Sequence, residues 1–235
     1  MTTNRRAGYA GTGPGEITPD GCAVELYARL PVAAEPDIIA AAAPPPARLL
    51  ELGSGAGRVS RALIERGYDV TAVDESAAML ARAGDVRTVH SRIEDLALGE
   101  TYDVVMLASF LVHGPSAPAL LAACRRHVAP GGVVLVQREG PGWHTEVPRE
   151  RPVAGGVARV VSDQDAGDGF RSVHVEYEFP DARWTQTFRS RPLTTAQFEN
   201  LVTGAGLTVV RYLGPDGSWA VLSGGPAAPS RLSGG

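Results

Sequence analysis

Arg48-Leu49-Leu50-Glu51-Leu52-Gly53-Ser54-Gly55-Ala56-Gly57-Arg58 decides how the rest of the chain is read. The apolar run 48–52, cut off by glycines, predicts a buried parallel strand entering a tight turn. Behind it, Arg58 to Arg66 has helical spacing with Val59, Leu63 and Ile64 set inward, and Gly67 stops it. Strand, glycine turn, helix is the unit at which open α/β sheets bind ligands, because bare backbone lets a ligand approach closely. A dinucleotide turn would need Gly-x-Gly-x-x-Gly to rest a pyrophosphate on the helix N-terminus. Here the third required position is Arg58, the glycines run Gly-x-Gly-x-Gly, and a carboxylate, Glu51, stands just before them. That acid repels a pyrophosphate and attracts an ammonium or sulfonium, which favours S-adenosylmethionine over NAD.

Outward from the turn, strands and helices alternate. Strands are predicted at Asp69 to Val73, Val86 to His90, Asp103 to Ala108 and Val133 to Gln137; helices at Ser76 to Ala83 and Ser116 to Val128. This pitch predicts a parallel sheet with right-handed crossovers. The second strand ends at Val73-Asp74-Glu75, where a carboxylate can accept both hydroxyls of a ribose. After Gln137 the pattern becomes antiparallel. Strands are predicted at Val157 to Val161, Arg171 to Phe179 and Trp184 to Ser190, then a helix at Thr195 to Thr203 and closing strands at Thr208 to Leu213 and Ser218 to Ser223. In the middle antiparallel strand Val173, Val175, Tyr177 and Phe179 share one face.

The predicted organisation is an arm and helical lid at 1–45, irregular and mobile over its first 23 residues; a cofactor-binding core at 46–140; an insertion at 141–192 that caps the substrate; the rest of the core at 193–223; and a disordered tail at 224–235.

Composition excludes several chemistries. All 22 basic residues are arginine, so there is no P-loop lysine and no Schiff-base lysine. The net charge of −4 with scattered arginines gives no electrostatic case for nucleic acid. Cys22 and Cys124 lack metal-ligand spacing and read as idle thiols; no metal is expected. No stretch reaches the ~18 apolar residues of a membrane span, and no signal-like run opens the chain, so a cytoplasmic protein, monomeric or homodimeric, is the expectation.

Leu50-Glu51-Leu52-Gly53-Ser54-Gly55-Ala56-Gly57, Ala72-Val73-Asp74-Glu75-Ser76 and Arg92-Ile93-Glu94-Asp95-Leu96 together resemble the class I S-adenosylmethionine-dependent methyltransferases, over roughly residues 46–140 and 193–223. The resemblance implies a Rossmann-like fold with a mostly parallel seven-stranded sheet, a closing antiparallel hairpin and an antiparallel insertion after the fifth strand. It implies Gly53, Gly55 and Gly57 against the methionyl part with Glu51 near its ammonium, Asp74 and Glu75 at the ribose, Ile93 and Glu94 at the adenine, and Ala108 and Ser109 closing the cleft. Arg92 departs from an acid that many relatives have there.

Methyl transfer from a sulfonium needs positioning and exclusion of water, and a base is optional. His113, after the fourth strand, and Tyr27, on the first helix, are the candidate catalytic groups; Tyr9, Glu139, Trp143 and His144 are the candidate substrate contacts. Gly13 to Tyr27 and Gly142-Trp143 are similar to the methyltransferases of daptide-type ribosomal peptide pathways, which implies N-methylation of a peptide terminal amine. An O-methyltransferase of a secondary metabolite and an NAD(P)-dependent oxidoreductase are the alternatives.

Overall fold

The computed structural model describes residues 5–214 and 216–224. Its larger sheet contains β2 (Arg48–Leu52), β3 (Asp69–Asp74), β4 (Arg87–His90), β5 (Tyr102–Leu107), β6 (Val128–Gln137), β11 (Leu207–Leu213) and β12 (Trp219–Gly224), in the order β11-β12-β6-β5-β2-β3-β4. β2 pairs in parallel with β3 and β5, and only β12 runs against its neighbours. The strand order reverses between β2 and β5, so the glycine turn after β2 sits at the topological switch point.

Alternation along the central strands divides the core in two. Leu50, Leu52, Val105, Leu107, Val134 and Val136 pack beneath α5 (Ala117–His127) and α6 (Thr195–Gly204). Leu49, Val104, Met106 and Leu135 face α2 (Glu35–Ala42) and α3 (Arg58–Glu65). Truncating a residue such as Leu50, wholly buried, to alanine costs about 2–5 kcal/mol. Within α3, Val59, Ser60 and Leu63 are buried, but Ile64 is exposed, against expectation. Five residues on from Val59 is about 140° around the helix, off the buried face.

The second sheet is antiparallel, in the order β1-β10-β9-β8-β7. β8 (Gly156–Asp165) and β10 (Arg183–Ser190) extend the expected strands, β9 (Arg171–Glu178) ends one residue before the expected one, and β7 (Arg149–Val153) was not expected. Its polar, proline-bearing sequence suits the edge position it occupies. The other edge, β1 (Ala10–Thr12), comes from the arm: Ala10, Gly11 and Thr12 pair with Thr187, Gln186 and Thr185. Part of the arm, Ala10–Thr12, is therefore a strand within a segment expected to be irregular. Gly224, assigned to the tail, ends β12; the remaining tail residues lie outside the described residues.

α1 (Val24–Arg29) lies between the two halves. Val24 packs on Ala56 of the glycine turn and on Met79, while Leu26 packs with Phe179 and Trp184 of the second sheet. The second sheet thereby covers the carboxyl ends of the parallel strands through α1.

Candidate active site

The glycine turn adopts left-handed backbone at Gly53, Gly55 and Gly57, with φ of 75°, 55° and 71°. The three have different surroundings. A β-carbon on Gly53 would meet Leu111 at 2.8 Å, and one on Gly57 would meet Ala83 at 2.8 Å. At Gly55 nothing is closer than Met79 Sδ at 4.0 Å. Gly55 thus opens onto free space, whereas Gly57, expected to face the cofactor, is needed for packing and begins α3. Beside the opening, the Ser54 hydroxyl is buried with no partner among the described residues. A buried polar atom without a partner is costly and marks a place where a ligand is wanted.

Two carboxylates, Glu51 buried and Asp74 half-buried, flank this opening. Asp74, at the end of β3, accepts the Gly55 N–H at 2.8 Å and the Ser76 N–H at 2.9 Å, so the two motifs are tied to each other. One lone pair on each oxygen remains for a ribose diol. Burial pushes its pKa up to about 6. Glu51 is 4 % exposed and accepts the Ser60 hydroxyl of α3. Burial pushes its pKa up to about 7. Ile93 is buried close to Gly53, and Glu94 and Glu75 stand 3.8 Å and 2.8 Å from one Arg6 nitrogen. Arg6 belongs to the arm, which also brings the Tyr9 hydroxyl to the backbone near Gly114. The arm straddles the mouth of the cleft. Ala108 and Ser109 follow β5. Ser109 and Phe110 both have positive φ, 54° and 59°, held by a 2.7 Å bond from Ser109 N–H to Gln137 Oε1. Such paired strain in non-glycine residues persists where surroundings enforce it, most often at sites.

The residues expected to do catalysis are fully engaged. His113, 2 % exposed, accepts the Glu139 N–H on Nε2 at 3.0 Å and donates from Nδ1 to the Arg191 carbonyl at 2.8 Å. Burial lowers its pKa. It clamps the second sheet onto the core and has no free nitrogen to take a proton, which corrects its reading as a base. Tyr27 donates to Gln186 Oε1 at 3.1 Å, and burial raises its pKa well above the ordinary value. It joins α1 to β10 rather than reaching a substrate. Cys22, read as idle, is in the same group: its sulfur accepts Gln186 Nε2 at 3.1 Å.

Of the expected substrate contacts, Glu139, Trp143 and His144 come together, while Tyr9 lies apart from them near Gly114. His144 bridges Glu139 Oε2 at 2.8 Å and Asp163 Oδ2 at 2.5 Å, and Ser190 donates to Glu139 Oε1 at 2.6 Å. Arg171 completes the cluster on Asp163. Burial lowers the His144 pKa, but the two carboxylates outweigh it and hold it above its ordinary value. Trp143 lies edge-on to His144 and beside Phe110 and Phe188, at 6.3 and 6.1 Å between ring centroids. Arg6, Ser54, Phe110, Asp163 and Phe188 were not anticipated. Phe110 adjoins a flagged pair and Ser54 lies within the glycine turn, but Arg6, Asp163 and Phe188 carry no motif, and only tertiary pairing reveals them.

The open space at Gly55, the orphaned Ser54 hydroxyl, the acid at the strand end and the buried Glu51 fit S-adenosylmethionine. Comparison with known proteins agrees. Residues 25–212 match the family described as a methyltransferase domain. The ubiquinone biosynthesis O-methyltransferase of Pseudomonas savastanoi pv. phaseolicola is 37 % identical over 98 residues, covering 37 % of this chain and 42 % of that protein. The match thus spans less than half of this curated relative. Among solved structures, S-adenosylmethionine-bound CalS10, an amino pentose methyltransferase from Micromonospora echinaspora involved in calicheamicin biosynthesis, superposes with TM-score 0.62 at 23 % identity, covering 87 % of this chain and 92 % of that one. The sugar N-methyltransferase KedS8 from Streptoalloteichus sp. gives TM-score 0.60 at 19 % identity, covering 80 % and 83 %. No helix among the described residues is long and apolar enough to cross a membrane. The chain belongs to the methyltransferase domain family.

Proposed function

We propose that the enzyme methylates an amine nitrogen of a small-molecule or peptide natural product, the terminal amine of a modified peptide being one such acceptor. The observation that carries this reading is that, among the described residues, the histidines and tyrosines expected near the acceptor are all engaged or kept protonated. Both His113 nitrogens are taken, and both His144 nitrogens face carboxylates, which raise its pKa. Tyr9 and Tyr27 have pKa values raised by burial, so neither is a phenolate. A hydroxyl must shed its proton to become a good nucleophile, whereas a neutral amine already offers a lone pair. The amino pentose methyltransferase and the sugar N-methyltransferase that share this fold point the same way.

S-adenosylmethionine supplies a methyl on a sulfonium, already activated for in-line displacement. Asp74 would hold the ribose, with Glu75 beside it; Ile93 and Glu94 would flank the adenine; Gly53, Gly55 and Glu51 would receive the methionyl end. Ala108 and Ser109 wall the cleft. The aromatic group Phe110, Trp143 and Phe188 receives the acceptor and excludes water, while Glu139 and His144 fix Trp143 in place. The insertion 141–192 and the arm form the cap. Positioning carries the rate, and the proton released from the methylated amine leaves to solvent.

The test pairs calorimetry with S-adenosylmethionine, S-adenosylhomocysteine and NAD with a mass-spectrometric screen of amines and their hydroxyl isosteres. Cofactor binding and methylated amines, with rates rising as the amine deprotonates, are expected. Methylated phenols or alcohols with inert amines would favour the second reading, O-methylation of a small metabolite, which the name of the curated relative supports.

A further inference from the structure

A cavity of about 250 Å³ lies past the carboxyl end of β6, between Phe110, Trp143 and the β11–β12 turn. Arg138 lines it, and Arg138 is the only arginine among the fully buried polar residues of the described chain, at 7 % exposure. No carboxylate among the described residues lies within ion-pair distance of it, and its Nε–H is buried without a hydrogen-bond acceptor. The guanidinium sits over the rings of Phe198 and Tyr212, at 4.3 and 5.2 Å. Stacking occupies the face of a guanidinium; its N–H donors leave from the edge, where Nε–H has no acceptor among the described residues. Burying a cation without a counter-ion is expensive, and the expense is withdrawn when a ligand brings the anion. The carboxylates that share the cavity, Glu146 and Asp216, are at its exposed rim. Asp216 is turned to the Ser218 N–H at 3.0 Å. Arg149, the second cation of the cavity, is spent on the Trp143 and Glu146 carbonyls at 2.6 and 2.9 Å.

We infer that Arg138 is the anchor for an oxyanion on the acceptor, so that the substrate is an amine that also carries a carboxylate or a phosphate. This rests on the methyltransferase acting on an amine, and it adds a second charge to that acceptor. The cation at the floor and acids at the rim suit a molecule negative at its inner end and positive at its outer end. The cavity shares Phe110 with the aromatic group, and Gln137 of its wall holds the Ser109 backbone, so it opens beside the cofactor cleft.

The experiment observes the Arg138 Nε–H resonance of the full chain, saturated with S-adenosylmethionine, while inorganic phosphate or acetate is added at constant ionic strength. A saturable shift at Arg138, absent at exposed Arg183, is expected. Saturation with phosphate alone identifies a phosphoryl group, and with acetate alone a carboxylate. Arg138→Gln should weaken that binding roughly ten- to a hundredfold with cofactor affinity retained. Asp216→Asn, which leaves the packing of Arg138 intact, should tighten it. No saturable shift, or the same drift at Arg183, overturns the inference. An anion bound at Arg138 with no amine methylated would overturn the proposed function and leave this site standing.

Discussion

The rim of the parallel sheet and the antiparallel sheet above it both bury carboxylates, and they treat them oppositely. At the rim, Glu51 and Asp74 have hydroxyl and backbone N–H partners and no ion pair among the described residues, and their pKa values rise to about 7 and about 6. In the cap, Glu139 and Asp163 share His144, and Arg171 closes the cluster. Charge left unneutralised is reserved for a ligand, while charge neutralised internally is architecture. Arg138 follows the rim's rule within the cap's neighbourhood, which is why it stands out there.

The hardest blow to this contrast falls on the cap. His144→Ala leaves Glu139 and Asp163 facing each other without the imidazolium, and a buried pair broken from one side costs about 3–5 kcal/mol. Urea unfolding measures it, and a loss below about 1 kcal/mol would make the cluster ornamental rather than structural. Asp74→Asn should behave in the opposite sense. Stability should change little, since the burial penalty removed offsets the one backbone N–H left facing the Asn amide, while S-adenosylmethionine affinity falls by about 1–3 kcal/mol. Unchanged affinity in calorimetry would remove Asp74 from the ribose.

The same contrast sets the pH response. For a carboxylate whose folded pKa lies above its unfolded value, the penalty is nil while both states are protonated. It grows as pH rises past the unfolded value and is complete above the folded one. Glu51 and Asp74 therefore lower the stability of the free enzyme between about pH 4 and about pH 7. An ammonium opposite Glu51 favours its ionised form, so cofactor binding in this window should release protons. Calorimetry in two buffers of different ionisation enthalpy reads the release directly. Binding without proton release near pH 6.5 would place the cationic end elsewhere.

Legibility in the sequence divides along the same boundary. Leu50, Leu52 and the glycines report local geometry, period-two burial and positive φ, so the strand, its turn and the acid at Asp74 could be read from spacing. Which glycine faces a ligand could not, because Gly55 and Gly57 differ in whether Ala83, 26 residues on from Gly57, fills the space. His113 drew attention by its place after a strand, yet the Arg191 carbonyl that occupies it comes from 78 residues away. Trp143 and His144 were singled out individually, but their partners Asp163 and Phe188 lie in the antiparallel strands, where alternation reports a face and not a neighbour. The arm was misread for a similar reason. Ala10-Gly11-Thr12 has no strand signature of its own and becomes a strand because β10 offers it an edge.

That arm supplies the smallest effect. Arg6 is about one-third exposed, and its bond to Glu75 at 2.8 Å is a surface-type ion pair, worth under about 1 kcal/mol of stability. Its position matters more than its strength, since Glu75 and Glu94 both belong to the rim while β1 belongs to the cap. Arg6→Ala should leave the unfolding midpoint within experimental scatter and speed cofactor release severalfold, because opening the arm no longer breaks this contact. Stopped-flow displacement of S-adenosylhomocysteine measures the rate. An unchanged release rate would mean that the arm moves with the second sheet as one body and that the cleft opens elsewhere.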